Sequence, residues 1–307
     1  MKGDQTVRII ITGGSGLIGK SLTRSLVSGG HEVVVLSRNP ARVSGLPVGA
    51  RAARWDASTG EGWSQLAEDA AIVNLAGENI SLGRWTSEVK QRIRESRLSA
   101  GKAVVNAVET SPSRPRVLIQ ASAVGYYGPR GNEELREDSP PGGDFLAQVC
   151  IDWEASTAPV EEMGVRRAVI RTSPVFAARE GVLPRMTLPF RFFVGGRLGS
   201  GRQWFPWMHV ADEVAAIRFL LEHEAASGPF NLASPHTVTN AQFSRALGRA
   251  MRRPSVLPAP TLVLSLLYGE MGRSLMGSQR VIPQRLLDLG FTFRFADADA
   301  ALRNLLD

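Results

Sequence analysis

The stretch near the N-terminus that is best suited to binding a ligand is the glycine-rich segment Thr12-Gly-Gly-Ser-Gly-Leu-Ile-Gly19. In this GxxGxxG spacing, Gly13 permits a tight turn, Gly16 lets backbone N–H groups approach a pyrophosphate, and Gly19 allows close helix-to-strand packing. The N–H groups that open the following helix also attract phosphate. Such a loop can be a plain structural elbow, but between a strand and a helix it predicts a dinucleotide site. The predicted contacts are Gly13, Ser15, Gly16, Leu17, Ile18 and Gly19.

The residues after the next three strand-like runs predict which dinucleotide binds. Ser37-Arg38 stands where an NAD site usually has Asp or Glu to hold the ribose 2′-hydroxyl. Arg38 would instead pair with a 2′-phosphate, and Ser37 would supply a hydroxyl, so NADP is the predicted cofactor. The alternative for Arg38 is a solvated side chain at a helix start. Asp56 would meet the adenine edge or cap a turn. The segment after the fourth strand, which contains Leu75, Ala76 and Gly77, would pass beneath the cofactor.

The elements that must position these residues alternate between strand-like and helix-like periodicity. Near-continuous β-branched runs such as residues 7–12 are typical of strands that are covered on both faces. Alternation with helices predicts an α/β fold, a doubly wound parallel (Rossmann) sheet with right-handed crossovers. The predicted strands are 7–12, 31–36, 70–75, 116–121 and 165–171, and the predicted helices are 17–28, 86–109 and 144–163.

The second half of the chain is less regular and predicts a smaller lobe. We expect residues 1–175 to form the NADP-binding domain, completed by about 209–235. Residues 176–307 would form a mainly helical substrate-binding lobe, with a helical C-terminal segment at 254–307 that breaks near Gly277 and Gly290. Within the second half, the predicted elements are helices at 209–223 and 239–251 and a strand at 228–233.

Composition limits the partners that we expect. The chain has 307 residues, 43% of them hydrophobic, and a net charge of +7 carried mostly by scattered arginines. No like-charge block or nucleic-acid motif accompanies that charge, so nucleic-acid binding is not expected. The apolar run 261–268 is far shorter than the roughly 20 residues that span a bilayer. The expectation is a cytoplasmic protein without membrane contact, metal site or disulfide, whose oligomeric state is open, a homodimer being one option.

Longer motifs resemble the extended short-chain dehydrogenase/reductase superfamily of the NAD-dependent epimerase/dehydratase type. Ala121-Ser-Ala-Val-Gly-Tyr-Tyr-Gly128 resembles the segment that carries the catalytic Ser or Thr, which puts Ser122 at that position. Trp207-Met-His-Val-Ala-Asp212 resembles the HVxD segment of the epimerases. GYYG, DSPPGGDFLAQVCIDWE, GSGRQWFPWMHV and LLYGEMGRSLMGSQRV together resemble an atypical subgroup, the epimerase family proteins with a helical C-terminal domain. The resemblance covers essentially the whole chain.

One departure from this superfamily concerns its Tyr-x-x-x-Lys pair, in which the Lys lowers the pKa of the Tyr and holds the nicotinamide ribose. Counting back from Glu154, which resembles the glutamate four residues after that Lys, puts Cys150 at the Lys position and Leu146 at the Tyr position. No lysine follows Lys102, so no shift of alignment restores the pair. Cys150 would contact the nicotinamide ribose, act as a weak acid, or simply pack the helix on the sheet.

The remaining candidates for proton transfer are implied by the same resemblance. Arg97 resembles a helix position that is usually a structural Asn, where it would bind a substrate carboxylate, support a shifted relay or form a salt bridge. Tyr126 and Tyr127 follow Ser122 and are the leading phenols. The resemblance thus implies an NADP(H)-dependent oxidoreductase or epimerase-like enzyme for a small polar substrate, or alternatively an NADP(H)-binding regulatory protein without turnover. Further pocket candidates are Arg197, Arg202, Trp204 and His209.

Overall fold

A parallel sheet of seven strands forms the centre of the protein. The computed structural model describes residues 6–81, 84–259, 269–270, 272 and 277–307. The sheet strands are β1 (Arg8–Thr12), β2 (Glu32–Ser37), β3 (Ala50–Arg54), β4 (Ala71–Asn74), β5 (Val117–Ala123), β7 (Arg166–Thr172) and β11 (Gly228–Leu232). Their order is β3-β2-β1-β4-β5-β7-β11, and every neighbouring pair is parallel. The predicted doubly wound α/β fold is confirmed.

Helices and short strands lie around this sheet. The helices are α1 (Leu17–Ser28), α2 (Ser87–Thr110), α3 (Phe145–Ala155), α4 (Pro159–Glu162), α5 (Leu183–Arg191), α6 (Val210–Glu222), α7 (Asn240–Met251), α8 (Gln284–Asp288) and α9 (Ala298–Leu306). The short strands are β6 (Glu134–Leu135), β8 (Val175–Phe176), β9 (Trp204–Phe205), β10 (Met208–His209), β12 (Val238–Thr239) and β13 (Arg280–Val281). The start of α7 has the capping box that satisfies its first N–H groups, in which Thr239 and Gln242 bond to each other's backbone.

Two apolar layers cover the two faces of the sheet. Alternate residues of β2 point to opposite faces, so Val35 packs in the layer with α1 and α6, whereas Leu36 packs in the layer with α2. A separate cluster in the second half is built on packed aromatic rings, in which the ring centroids of Phe176 and Phe243 lie 5.1 Å apart. The sheet is therefore buried on both faces, which explains the continuous apolar runs of its strands.

The C-terminal segment is less helical than predicted. Residues 254–259 form no helix. The predicted break near Gly277 extends to residue 283, because β13 pairs in parallel with β6 and the N–H of Ile282 donates to the carbonyl of Leu135 at 2.9 Å. That pairing depends on a partner about 145 residues earlier in the chain, which local periodicity cannot reveal. The helices α8 and α9 agree with the prediction, and the part of it that falls on residues 260–268, 271 and 273–276 lies outside the described residues.

Candidate functional site

The strand order fixes the edge at which a ligand would bind. After β1 the chain continues to β2 and β3 on one side, and it then crosses to β4 on the other side. In open α/β sheets ligands bind in the crevice outside the carboxyl ends of the strands at such a switch point. The glycine loop and the residues that follow β2 and β4 all meet at this crevice.

Three glycines of the loop are required by the protein's own packing. Gly13 has a left-handed φ of +67°, and a Cβ there would lie 2.7 Å from the carbonyl oxygen of Leu75. A Cβ on Gly14 would lie 2.6 Å from a methyl carbon of Val35, and one on Gly19 only 2.5 Å from the Cα of Gly14. These contacts are too short for any side chain, so the loop can approach the sheet only with glycine at these positions.

Gly16 is different, because no tight packing explains it. A Cβ on Gly16 would meet a single atom within 4 Å, the carbonyl oxygen of Gly13 at 3.3 Å. Gly16 is also the N-cap of α1, where no side chain caps the helix and the first turn has no acidic residue. The first N–H groups of α1 are therefore available to an anion, and the open space at Gly16 suits the close approach of a pyrophosphate.

A chain of buried polar groups holds the floor of the crevice. The hydroxyl oxygen of Thr12 accepts from the N–H groups of Leu75 (3.1 Å) and Ala76 (3.2 Å) and donates to Asn74 at 2.6 Å. Asn74 in turn donates to Gln120 at 2.8 Å. These bonds join the ends of β1 and β4 to the middle of β5 and fix the turn that was predicted to pass beneath the cofactor. The sequence signal for Thr12 and Gln120 is a polar residue within a largely apolar strand.

The residues predicted to select the cofactor lie together at the end of β2. The hydroxyl of Ser37 accepts from the N–H of Asn39 at 3.2 Å. Arg38 is exposed, and its guanidinium makes no hydrogen bond or ion pair with any described residue. A free guanidinium at this point is available to a phosphate group, and its role there stays a prediction.

Asp56 caps its own turn. One carboxylate oxygen accepts from the N–H groups of Ser58 (2.8 Å) and Thr59 (2.7 Å), and the other accepts from the Thr59 hydroxyl at 2.9 Å. These hydrogen bonds from Ser58 and Thr59 lower the pKa of Asp56 to about 2. The arrangement is the turn-capping alternative left open by the sequence, and the adenine contact stays a prediction.

Arg97 lies against the turn after β4. Its guanidinium donates to the carbonyls of Ile93 (2.8 Å) and Glu78 (3.1 Å) and stacks over the ring of Trp153 at 4.7 Å. A Cβ on Gly77 would lie 3.1 Å from its guanidinium carbon, so the glycine makes room for the arginine. Burial lowers the pKa of Arg97 from its usual value. The structure thus brings Gly77 and Arg97 together, and no acid among the described residues forms a salt bridge with Arg97.

Ser122 is hydrogen-bonded to a buried ion pair, that of Arg171 and Glu154. It is only 4% exposed, and its hydroxyl donates to Glu154 at 2.6 Å. Glu154 also accepts two hydrogen bonds from Arg171, at 2.9 and 3.0 Å. Because the Ser122 hydroxyl already donates to a carboxylate that Arg171 also binds, it has no hydrogen left to donate to a substrate, and its oxygen can only accept. Arg171 and Glu154 orient the catalytic candidate, and sequence analysis did not assign them that role.

The two adjacent tyrosines have different environments. Tyr127 is fully buried, donates to Asn231 at 2.7 Å and accepts from Arg171 at 3.0 Å. Burial raises the pKa of Tyr127 to about 12, so the phenol keeps its proton at neutral pH. Tyr126 is partly exposed, its ring lies 3.5 Å below the Arg171 guanidinium, and its hydroxyl bonds to none of the described residues. Tyr126 is therefore the phenol that remains available for proton transfer.

Cys150 and Leu146 occupy the helix face that would carry the Lys and Tyr. A Cβ on Gly125 would lie 3.3 Å from the Leu146 Cβ and 3.7 Å from the Cys150 sulfur, so both side chains face the segment after β5. Cys150 is 4% exposed. Burial, followed by the charge of Glu154, raises the pKa of the Cys150 thiol to about 11, and the group is a protonated thiol at neutral pH.

We predict that Cys150→Ser keeps cofactor affinity within about 1 kcal/mol, the usual scale of a small near-isosteric change. A buried neutral thiol has no charge with which to replace an ammonium, so turnover should change little as well. Calorimetry with NADPH measures the first effect. Since Cys150 is the chain's single cysteine, slow labelling of the native protein and full labelling after unfolding would confirm its burial. Lost turnover with intact binding would identify the thiol as the replacement acid.

The candidates from the second half mostly serve local structure. His209 accepts from the N–H of Ala211 at 3.0 Å, which caps α6, and its ring stacks on Phe295 at 3.9 Å. Trp204 donates to Asn132 at 3.0 Å, and Arg197 donates to the carbonyl of Gly199 at 3.2 Å. The side chain of Arg202 is exposed and makes no hydrogen bond or ion pair within the described part of the chain.

Glu213 is a buried acid that sequence analysis did not single out. It is fully buried on α6, where one carboxyl oxygen accepts a hydrogen bond from the hydroxyl of Thr172, at the carboxyl end of β7, at 2.9 Å. Its second carboxyl oxygen is also buried and has no partner among the described residues. Burial raises the pKa of Glu213 from 4.5 to about 8, so the side chain is neutral at physiological pH.

This burial predicts a pH-dependent stability. Between pH 4.5 and 8 the unfolded chain has lost the Glu213 proton that the folded chain retains, so stability should fall as pH rises. The expected slope is about 1.4 kcal/mol per pH unit. Chemical denaturation at pH 5.5, 6.5 and 7.5 gives the free energy of unfolding of wild type and of Glu213→Gln, and the two slopes against pH should differ by this amount. The control is Glu222→Gln, on the exposed side of the same helix, which should keep the wild-type slope. A wild-type slope in Glu213→Gln would contradict the prediction.

Metal clusters and membrane-spanning helices are absent from the described residues. No group of three or more His, Cys, Asp or Glu side chains is arranged there to hold a metal ion. In the same residues, no helix is both long enough and apolar enough to cross a bilayer.

Comparison with known proteins places this geometry in a family. A model described as the NAD dependent epimerase/dehydratase family matches residues 9–233, and a domain of unknown function (DUF1731) matches residues 259–305. The epimerase family protein YfhF of Bacillus subtilis is 36% identical over 98% of both chains. Epimerase family protein ML0860 of Mycobacterium leprae is 38% identical over 96% of this chain and 94% of its own length.

Solved structures agree with the sequence relatives. The human epimerase family protein SDR39U1, crystallised with NADPH, superposes with a TM-score of 0.87 and 32% identity, over 98% of this chain and 99% of the human one. A Thermus thermophilus UDP-glucose 4-epimerase in complex with NAD shares the fold, with a TM-score of 0.77 and 19% identity over 98% of both chains. From the glycine loop through the late strand β11, the chain belongs to the NAD dependent epimerase/dehydratase family.

Proposed function

We propose that this protein is an NADP(H)-dependent oxidoreductase or epimerase-like enzyme that acts on a small polar substrate with a non-standard proton donor. The observation that carries the proposal is the free, exposed Arg38 beside Ser37, at the strand end where an acid would exclude a 2′-phosphate. The uncapped start of α1 offers the matching site for the pyrophosphate. The human relative crystallised with NADPH supports the same cofactor.

The chain's own groups limit how a proton can move at this site. Bound NADP(H) would supply hydride transfer. The Ser122 hydroxyl donates a hydrogen bond to Glu154, and the Tyr127 hydroxyl donates one to Asn231. Neither hydroxyl is therefore free to donate to a substrate. Tyr126 remains, stacked under the Arg171 guanidinium. Arg97 keeps a positive charge against Gly77, where it could orient an anionic group of the substrate.

A second candidate function is an NADP(H) sensor without turnover. It is favoured by the replacement of the Tyr-x-x-x-Lys pair with Leu146 and Cys150, which pack against Gly125. It is also favoured by the buried network that occupies Ser122 and Tyr127. The cofactor site would then report the ratio of reduced to oxidised NADP through a partner.

Isotope transfer separates the two functions. Protein loaded with NADPH deuterated at the reactive carbon would be incubated with a fractionated metabolite extract. An enzyme should move deuterium into a product or exchange it at the cofactor, and Tyr126→Phe should slow this transfer while NADPH affinity is kept. A sensor should show no transfer, but amide hydrogen exchange should differ between its NADPH and NADP+ complexes. No transfer with any fraction would contradict the enzyme proposal.

The proposal also includes a cytoplasmic location and a small-molecule partner rather than nucleic acid or membrane. Most of the +7 charge comes from arginines, several of which hold carbonyl groups inside the fold, as Arg166 and Arg285 do. We include a homodimer as the assembly to be tested, and light scattering would measure it.

A further inference from the structure

The register between β2 and β3 places a second arginine beside the predicted 2′-phosphate site. Ser37, the last residue of β2, is the direct neighbour of Arg54, the last residue of β3. The N–H of the following residue, Trp55, donates to the Ser37 carbonyl at 3.2 Å, so the pairing continues to the strand end. Neighbouring strands lie about 4.8 Å apart, which is well within the reach of an arginine side chain.

Arg54 also lies on the same face of the sheet as the glycine loop. Side chains of paired residues in parallel strands point to the same face, and the face alternates along each strand. Val33 and Val35 of β2 pack in the layer with α1, and Gly14 of the loop comes close to Val35. Ser37 and Arg54 follow in that alternation. The opposite face of β3 is marked by Ala53, which packs in the other layer.

Neither guanidinium at this corner is neutralised by the described residues. Arg54 is exposed and, like Arg38, has no hydrogen-bond or ion-pair partner among them. The nearest acid in sequence, Asp56, uses both carboxylate oxygens within its own turn. Arg51 of the same strand, by contrast, lies 3.7 Å from Glu32. Two arginines that flank Ser37, one next to it in sequence and one beside it on the neighbouring strand, would together favour a dianionic phosphate.

We propose that Arg54 is a second guanidinium for the 2′-phosphate of NADP(H) and, with Arg38, determines the preference for NADP(H) over NAD(H). The inference rests on the proposed NADP(H) binding and adds a residue to it. Arg38 and Arg54 would hold the phosphate from two neighbouring strand ends, while the Ser37 hydroxyl donates to the same group.

The test compares Arg54→Met with Arg51→Met. Both changes remove one positive charge from β3, but Arg51 points to the opposite face and lies nearer the other end of the strand. Calorimetry would use NADPH and NADH, and the pair 2′,5′-ADP and 5′-AMP to isolate the phosphate. Arg54→Met should weaken NADPH and 2′,5′-ADP about tenfold or more and leave NADH and 5′-AMP within twofold. Arg51→Met should leave all four within twofold.

The outcomes separate this inference from the proposed function. NADPH affinity that stays within twofold in Arg54→Met, or an equal loss in Arg51→Met, would overturn the role of Arg54 while the wild-type preference for NADPH stands. A wild-type protein that binds NADPH and NADH equally would overturn the cofactor preference itself, and the role of Arg54 with it. Retained NADH binding in Arg54→Met shows that the variant is folded.

Discussion

Replacing Gly16 by Val is expected to leave a folded protein that no longer binds NADPH. A Cβ there would meet a single atom, the carbonyl oxygen of Gly13 at 3.3 Å, a contact that a local shift of a few tenths of an ångström relieves. The same side chain would stand in front of the uncapped N–H groups of α1, where the pyrophosphate would approach. We expect the dissociation constant to rise at least about 100-fold, which corresponds to about 2.7 kcal/mol. Calorimetry and the thermal shift caused by NADPH measure this loss.

The other glycines of the loop serve as controls for Gly16→Val. Gly16→Ala should weaken binding by less than the valine, because its side chain is shorter. Gly19→Ala should instead lower the unfolding temperature, because its Cβ would lie 2.5 Å from the Cα of Gly14. A Gly16→Val protein with normal NADPH affinity would show that the loop is only a structural turn.

Replacing Arg38 by Ala is expected to remove most of the preference for NADPH over NADH. Arg38 has no protein partner among the described residues, so its loss leaves no buried group unpaired. The lost interaction is a charge-assisted pair with the 2′-phosphate, and NADPH should bind about 1–3 kcal/mol more weakly. NADH lacks that phosphate and should bind almost as before, which makes it the internal control. Titration of both cofactors against wild type and variant gives the result.

Two results would contradict the prediction for Arg38. One is a wild-type protein with equal affinity for NADH and NADPH. The other is an Arg38→Ala protein that loses affinity for both cofactors equally, which would mean that the arginine supports the fold of the loop. Arg38→Lys should keep part of the preference, because an ammonium retains the charge but not the two-pronged geometry of a guanidinium.

Replacement of the Tyr-x-x-x-Lys pair changes what kind of chemistry the site can support. An ammonium at position 150 would favour ionisation of a nearby phenol, and the Cys150 thiol, with its pKa raised to about 11 by burial, cannot. The fixed positive charges nearby are instead those of Arg97 and Arg171, which stack on Trp153 and Tyr126. If the protein catalyses proton transfer, we expect these two guanidiniums to help polarise it.

The sequence alone determined the features that depend on short stretches of chain. The GxxGxxG loop between a strand and a helix, Ser37-Arg38 at a strand end and the alternation of apolar periods predict the Rossmann sheet and its ligand edge. Most predicted element boundaries in the first half lie within one or two residues of the structure, as for α1 at Leu17–Ser28. These signals survive in one sequence because turn geometry, helix starts and burial on two faces are set by neighbouring residues.

Only the tertiary structure decided what surrounds the catalytic candidates. Ser122, Tyr127 and Arg171 belong to one hydrogen-bonded network whose bonds join residues up to 104 positions apart, as between Tyr127 and Asn231. The burial of Glu213, the pairing of β13 with β6 and the placement of Arg54 beside Ser37 likewise depend on contacts between distant segments. A side chain's proton, charge and exposure are set by whatever the fold packs around it, and no local pattern records those neighbours.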